Sequence, residues 1–217
     1  MQRYFKLLVS SIGAGLLIGI GGFVYVSTKA NYPIIAAFLF AFGLFTIISL
    51  SLWLYTGKIG YVLENKANYL IDLAVCLVGN AIGAIGFGYL LRLASFEGNE
   101  SLIRISSQLE VANSVSTLKL NSHWLAMLLL SFGCGILIYL AVEVSKRDLA
   151  PIIKVIAIFF AVALFILCGF EHCIANMFYF SLANAWNMHA LLYLLLMILG
   201  NSLGSIVMYL IVKVSKL

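Results

Sequence analysis

Charged residues interrupt this chain only at intervals, and the intervals predict its elements. Uncharged and mainly apolar runs occupy residues 7–28, 30–57, 73–91, 120–142, 155–170 and 188–212. These runs are apolar on every side and lack the alternation of about ten-residue barrel strands, so helices are expected. A hydrocarbon layer of about 30 Å takes roughly 20 helical residues. The six runs therefore predict six crossings. The first run is longer than the roughly 7 to 15 residues of a secretory signal's apolar region and is read as the first span. The fifth continues past an acid and a histidine, Glu171 and His172.

Two internal matches organise these spans. SIGAGLLI at 11–18 reappears as SFGCGILI at 131–138, an offset of 120, and GNAIGA at 79–84 reappears as GNSLGS at 200–205, an offset of 121. Two matches at nearly one offset predict a single domain of two three-helix repeats, about 1–95 and about 120–217. Three crossings is an odd number, so the second repeat is expected upside down relative to the first. Inverted repeats put a binding site at the midplane, on discontinuous helices in corresponding positions of both halves. Carrying the offset along sets the stretch near 53–57 against that near 169–176 and predicts that the second and fifth helices break there. In LWLYTGK the Thr-Gly pair reads as a turn. Thr56 then offers a hydroxyl at the depth of His172, or else is an ordinary helix-end residue. Asn80 and Asn201, matched between the halves, must find hydrogen bonds inside the protein and are expected to cap the broken segments. The Gly-rich spacings allow close helix approach. Residues 101–118 suggest a short interfacial helix.

Composition agrees with the spans. Of 217 residues, 64% are hydrophobic and 10% charged, against about 25% charged in soluble domains. The net charge of +5 is scattered at span ends, which speaks against nucleic-acid binding and for a bilayer. With a cytoplasmic N-terminus, nine basic residues lie inside and four outside: Lys29, Arg92, Arg104 and Lys119. The positive-inside rule thus expects both termini in the cytoplasm. Cys76, Cys134, Cys168 and Cys173 fall within spans without ligand-like spacing, so packing thiols are expected and no metal or cofactor.

The chemistry concentrates in FILCGFEHCIANMF, residues 165–178. An acid and an imidazole at bilayer depth persist only beside a partner or a wet cavity, which points to a transport or proton-relay site. The alternative makes Glu171 the pin of a helix break, with His172 satisfied beside it. Lys119 stands where it would draw anions to an outer mouth, or where it merely snorkels. His123 and His189, at span edges, read as interfacial.

GFEHCIANMF closely resembles the fifth-helix signature of the formate/nitrite transporter family, and LYTG, GNAIGA and SFGCGILIYLAV resemble that family's second, third and fourth helices. The resemblance implies an aquaporin-like, all-α integral membrane fold of six transmembrane helices and a homopentamer in the cell membrane with one pore per subunit. It implies His172 as the pore histidine, Thr56 opposite it, Lys119 at the outer mouth and Phe40, Leu44, Leu54, Ile138 and Phe165 as apolar constrictions. Glu171, Asn80, Asn176 and Asn201 then support the helix breaks. Its partners are small anions and protons, since members pass formate, nitrite, hydrosulfide, acetate or lactate. Gly135 departs from the pattern, where the fourth helix usually carries asparagine, and the loops are short. Two rival classes remain: a thiol/histidine enzyme using Cys173 or Cys168, and a neutral-solute channel, whose two Asn-Pro-Ala turns this chain lacks.

Overall fold

The computed structural model describes residues 2–94 and 103–215, and among these there is no strand. In chain order the helices are α1 (Gln2–Thr28), α2 (Pro33–Ser49), α3 (Tyr55–Lys58), α4 (Tyr69–Ala94), α5 (Ile103–Leu120), α6 (Trp124–Lys146), α7 (Pro151–Leu167), α8 (Cys173–Leu182) and α9 (Met188–Val214). A 3-10 turn, Ile59–Glu64, extends α3. Four of these, α1, α4, α6 and α9, are long and apolar enough to cross a membrane.

Local chemistry sets the ends of the shorter helices. Pro33 and Pro151 open α2 and α7 at the first helical position, where a missing N–H costs nothing and the fixed φ suits the helix. The same two helices stop alike. Ser51 takes φ 56° and Gly169 φ 67°, and one residue beyond, Leu52 N–H donates to Ile47 O at 2.9 Å and Phe170 N–H to Phe165 O at 2.8 Å. That is the left-handed cap that satisfies a helix's last carbonyls. Thr56 and Gly57 were expected to form the turn, but they lie inside α3. The stop falls earlier, at Ser51, a residue with no glycine-like signal.

Long helices pack in pairs through small residues. A Cβ on Gly15 would stand 2.1 Å from the carbonyl oxygen of Asn80, and one on Gly135 would stand 2.2 Å from that of Asn201. The pairs α1–α4 and α6–α9 therefore meet backbone to backbone. The departure at Gly135 falls on this helix contact and not on a cavity wall, since no side chain of any kind fits there.

Helix α5 does more than lie at an interface. Ala112, Val115 and Ser116 are buried, and Ser116 Oγ donates to Tyr179 O at 3.4 Å. This seats α5 on α8 and carries Lys119 inward; residues 101 and 102 of the expected segment lie outside the described residues. On the outside of the molecule, Ile34, Ile35, Leu39 and Phe42 of α2 and Ile152, Ile153, Ile156 and Phe160 of α7 are exposed. Such apolar faces suit lipid or a neighbouring subunit, not water. Together with the long apolar helices they mark a multi-pass membrane protein.

Candidate functional site

Two buried asparagines hold the irregular backbone between the short helices. Asn80 Oδ1 accepts from Tyr55 N–H at 2.8 Å, while its Nδ2 donates to Ser11 O and Trp53 O, both at 2.8 Å. Asn201 does the same on the other side: Oδ1 accepts from Cys173 N–H at 2.9 Å, and Nδ2 donates to Ser131 O and Glu171 O, both at 2.8 Å. Non-helical backbone at membrane depth needs such internal partners, because no water is there to replace them. Each amide thus ties a long-helix crossing to the start of a short helix.

His172 caps the short helix α8. Its Nδ1 accepts from Ala175 N–H at 3.2 Å, so that nitrogen carries no proton. In the neutral ring the proton sits on Nε2, which is then the donor to Thr56 Oγ1, 2.9 Å away. The imidazole is 2% exposed, and the Phe165 ring stacks on it with centroids 6.0 Å apart. Phe165 in turn meets Phe40 edge to face at 5.8 Å. The structure brings together, from α2, α3, α7 and α8, residues that are more than a hundred positions apart in sequence.

Beside the histidine lies a polar cluster. Glu171 pairs with Lys119 Nζ and accepts from Asn176 Nδ2 at 2.8 Å. Neither Lys119 nor Glu171 is free in solvent; their side chains are 16% and 7% exposed. Asn176 Nδ2 also reaches His172 O at 3.1 Å, and its Oδ1 is buried without a protein partner.

Two cavities flank this centre. One, of about 410 Å³, is lined by Phe40, Phe165, His172, Glu171, Lys119 and Asn176, with Tyr25, Lys29 and Tyr179. The other, of about 260 Å³, is lined by Leu44, Leu54, Gly57, Lys58 and Lys146 among others. Phe40 and Leu44 are one turn apart on α2, so α2 faces one cavity with the first and the other with the second. Between them Phe40, Leu44, Leu54, Thr56, Phe165 and His172 are all buried. Ile138 is buried too but lines neither cavity. His123 caps α6, and His189 bonds Leu120 O at 2.9 Å; both stand apart from the cavities. Cys168 is exposed, unlike the other three cysteines, and so does not pack as expected.

Sequence reasoning did not single out Tyr25, Lys29 or Tyr179. The i,i+4 spacing of Tyr25 and Lys29, whose Nζ lies 5.3 Å from the ring centroid, was the available signal. Lys58 and Lys146 were legible only as topology markers.

Comparison with known proteins places this geometry. The chain is 30% identical over 208 residues to a formate-nitrite transporter of Plasmodium malariae, covering 83% of this chain and 65% of that one. It is 23% identical over 193 residues to the formate channel FocB of Escherichia coli, covering 83% of this chain and 67% of that one. The chain thus spans just under two thirds of the length of the Plasmodium relatives it matches. Its fold superposes on a pentameric formate channel with formate bound at a TM-score of 0.77, with 23% identity and coverage of 99% of this chain and 96% of that one. A second solved structure, an FNT family ion channel, gives 0.81 with 21% identity, covering 97% and 90%. These relatives are transporters and channels, not enzymes. The sequence model of the formate/nitrite transporter family matches residues 1–215, nearly the whole chain, and the chain belongs to that family.

Proposed function

We propose that this chain forms a selective pore for small monovalent weak-acid anions such as formate, nitrite or hydrosulfide, with passage coupled to protonation near His172. The observation that carries this reading is the buried Thr56–His172 hydrogen bond of 2.9 Å, set among apolar side chains between two cavities.

In this reading α2 with α3, and α7 with α8, are each one interrupted crossing, which makes six spans in two inverted repeats. The paired bonds of Asn80 and Asn201, the paired caps at Ser51 and Gly169, and the paired prolines support it. The chain is then one domain with repeats at about 1–95 and 120–217.

An anion collected beside Lys119 meets Phe40 and Phe165, which offer nothing to replace its water. Stripping a charge against such a wall costs several kcal/mol even after relaxation, and neutralising it removes most of that cost. The Nε2–H of His172 and the hydroxyl of Thr56 are the polar hydrogens at the wall. A proton taken up from the first cavity joins the anion while the Nε2–H holds it, and the neutral acid crosses past Leu44 and Leu54 and ionises again in the second cavity. The ring keeps its only proton throughout, because Nδ1 is occupied as the acceptor for Ala175 N–H. The unpartnered Oδ1 of Asn176 can accept from water or from the acid's hydroxyl on the way.

The direct test is uptake of a panel of anions into liposomes holding purified protein. Formate, nitrite and hydrosulfide should pass readily, whereas chloride, the conjugate base of a strong acid, should be at least about tenfold slower. Equal chloride and formate flux would sink the weak-acid mechanism.

The exposed apolar faces and the pentameric relative support a homopentamer with a pore in each chain. Native mass spectrometry of the detergent-solubilised protein should show five copies. Monomers and dimers alone would exclude it.

A further inference from the structure

The two cavities differ in charge, and the difference follows from the internal repeat. Asn201 bonds the backbone of Glu171 and Cys173, and Asn80 bonds that of Trp53 and Tyr55. Trp53 therefore occupies in one half the place that Glu171 occupies in the other. Five residues on, Lys58 takes the place of Asn176. The pairing survives but its chemistry changes: Asn176 donates to the Glu171 carboxylate at 2.8 Å, whereas Lys58 Nζ lies 4.9 Å from the centre of the Trp53 ring.

The 260 Å³ cavity that Lys58 enters has no acid in its lining. Its polar groups are Ser51, Lys58, Ser145 and Lys146, over a floor of Leu44 and Leu54. Lys146 Nζ sits 3.3 Å from the centre of the Tyr61 ring. The adjacent acid, Glu143, is held by Arg147 at 2.7 Å and by Tyr61 OH at 3.0 Å. An aromatic face attracts a cation through its quadrupole but carries no net charge, so it does not cancel the ammonium's field; Glu143 and Glu64 offset that of Lys146 in part. Across the constriction, by contrast, the Lys119 charge is paired with Glu171, which leaves Lys29, over the Tyr25 ring, against the two lysines here.

We propose that Lys58 and Lys146 form an anion-holding site for small monocarboxylates in this second vestibule, beside Ser51 and Ser145. The site makes it the more strongly attracting of the two mouths. This rests on the pore reading above. The positive-inside pattern expects this mouth on the cytoplasmic side. A cleft of one sign with low-dielectric walls raises the local counter-ion concentration, and salt screens the effect.

The probe is sodium formate, in liposomes, at concentrations far below saturation. In that regime permeability is the same in both directions, so the orientation of insertion does not matter. Lys58→Gln combined with Lys146→Gln should lower permeability by about three- to tenfold at low ionic strength, and the gap should close in high salt. A second arm places Lys58→Cys in a Cys168→Ser background, the exposed native thiol being removed. Aminoethyl methanethiosulfonate, which rebuilds an ammonium, should restore the flux; the sulfonatoethyl reagent should depress it further. A glutamine pair with wild-type permeability at low salt, or a cysteine variant that responds alike to both reagents, overturns the site. If the wild type passes no formate, the pore reading falls and takes this proposal with it. If the wild type passes formate and the variants match it, only this proposal falls.

Discussion

His172→Asn is expected to cut weak-acid anion flux by about a hundredfold, the lower end of what a side chain positioned at a proton transfer contributes, and to flatten its dependence on pH. The wild-type sign follows from the mechanism. In the proposed mechanism each crossing carries a proton with the anion, so flux rises as pH falls from about 8 to about 5. Asparagine has no ring N–H to hold the anion while it takes up the proton. It is nevertheless a good helix N-cap, so its side-chain oxygen can replace Nδ1 as the acceptor for Ala175 N–H. The fold should therefore survive while Thr56 loses the Nε2–H donor. The measurement is formate uptake into liposomes carrying equal amounts of assembled protein, across that pH range. A variant with wild-type rate and profile removes His172 from the mechanism and leaves it as a cap alone.

Glu171 separates from its neighbour in the same assay. Its carboxylate is the partner of the mostly buried Lys119 and the acceptor for Asn176. Breaking one side of a buried pair strands the other charge, which is more damaging than never having had the pair. The proposed mechanism thus gives adjacent residues different kinds of dependence: Glu171 in the integrity of the cluster, His172 in the proton step.

What was legible in the sequence was whatever violates lipid chemistry. An acid and an imidazole amid apolar residues announce themselves, and so do two asparagines repeated at one offset, because polar groups at that depth need partners. Helix stops were less legible. The helix stop at 169 carries a glycine where φ is positive, but Ser51 meets the same demand without one, and the Thr-Gly pair drew the turn five residues too far along. The cap at Ser51 is set by carbonyls of α2 that no local pattern encodes. Gly135 illustrates the converse. Its lack of a side chain reads as a gap in a pore, whereas it is where α6 touches the backbone of Asn201. Side chains that reach the cavities from one helix alone, such as Tyr25, or that double as topology signals, such as Lys58, become visible only when the helices are set side by side.

Asn201→Leu should prevent assembly altogether. The amide is fully buried and makes three bonds to backbone groups from two segments: Cys173 N–H and Glu171 O before α8, and Ser131 O of α6. Leucine is close in size and fits an apolar setting, so the loss is not one of volume. What it leaves is one donor, Cys173 N–H, and one acceptor, Glu171 O, sealed from water, each at about 1–3 kcal/mol; Ser131 O keeps its own bond within α6. The sum, several kcal/mol, rivals the roughly 5–15 kcal/mol by which proteins are stable at all. The site fails with it, because Glu171 O and Cys173 N–H bracket His172, and releasing them frees the cap of α8. Asn80→Leu should be as severe, since Asn80 holds Trp53 and Tyr55 on either side of Leu54 in the same manner. Thermal unfolding and gel filtration in detergent check this: both leucine variants should aggregate or unfold well below the wild type, while His172→Asn elutes with it. An Asn201→Leu protein with wild-type thermal stability would mean that the break before α8 is held by packing alone.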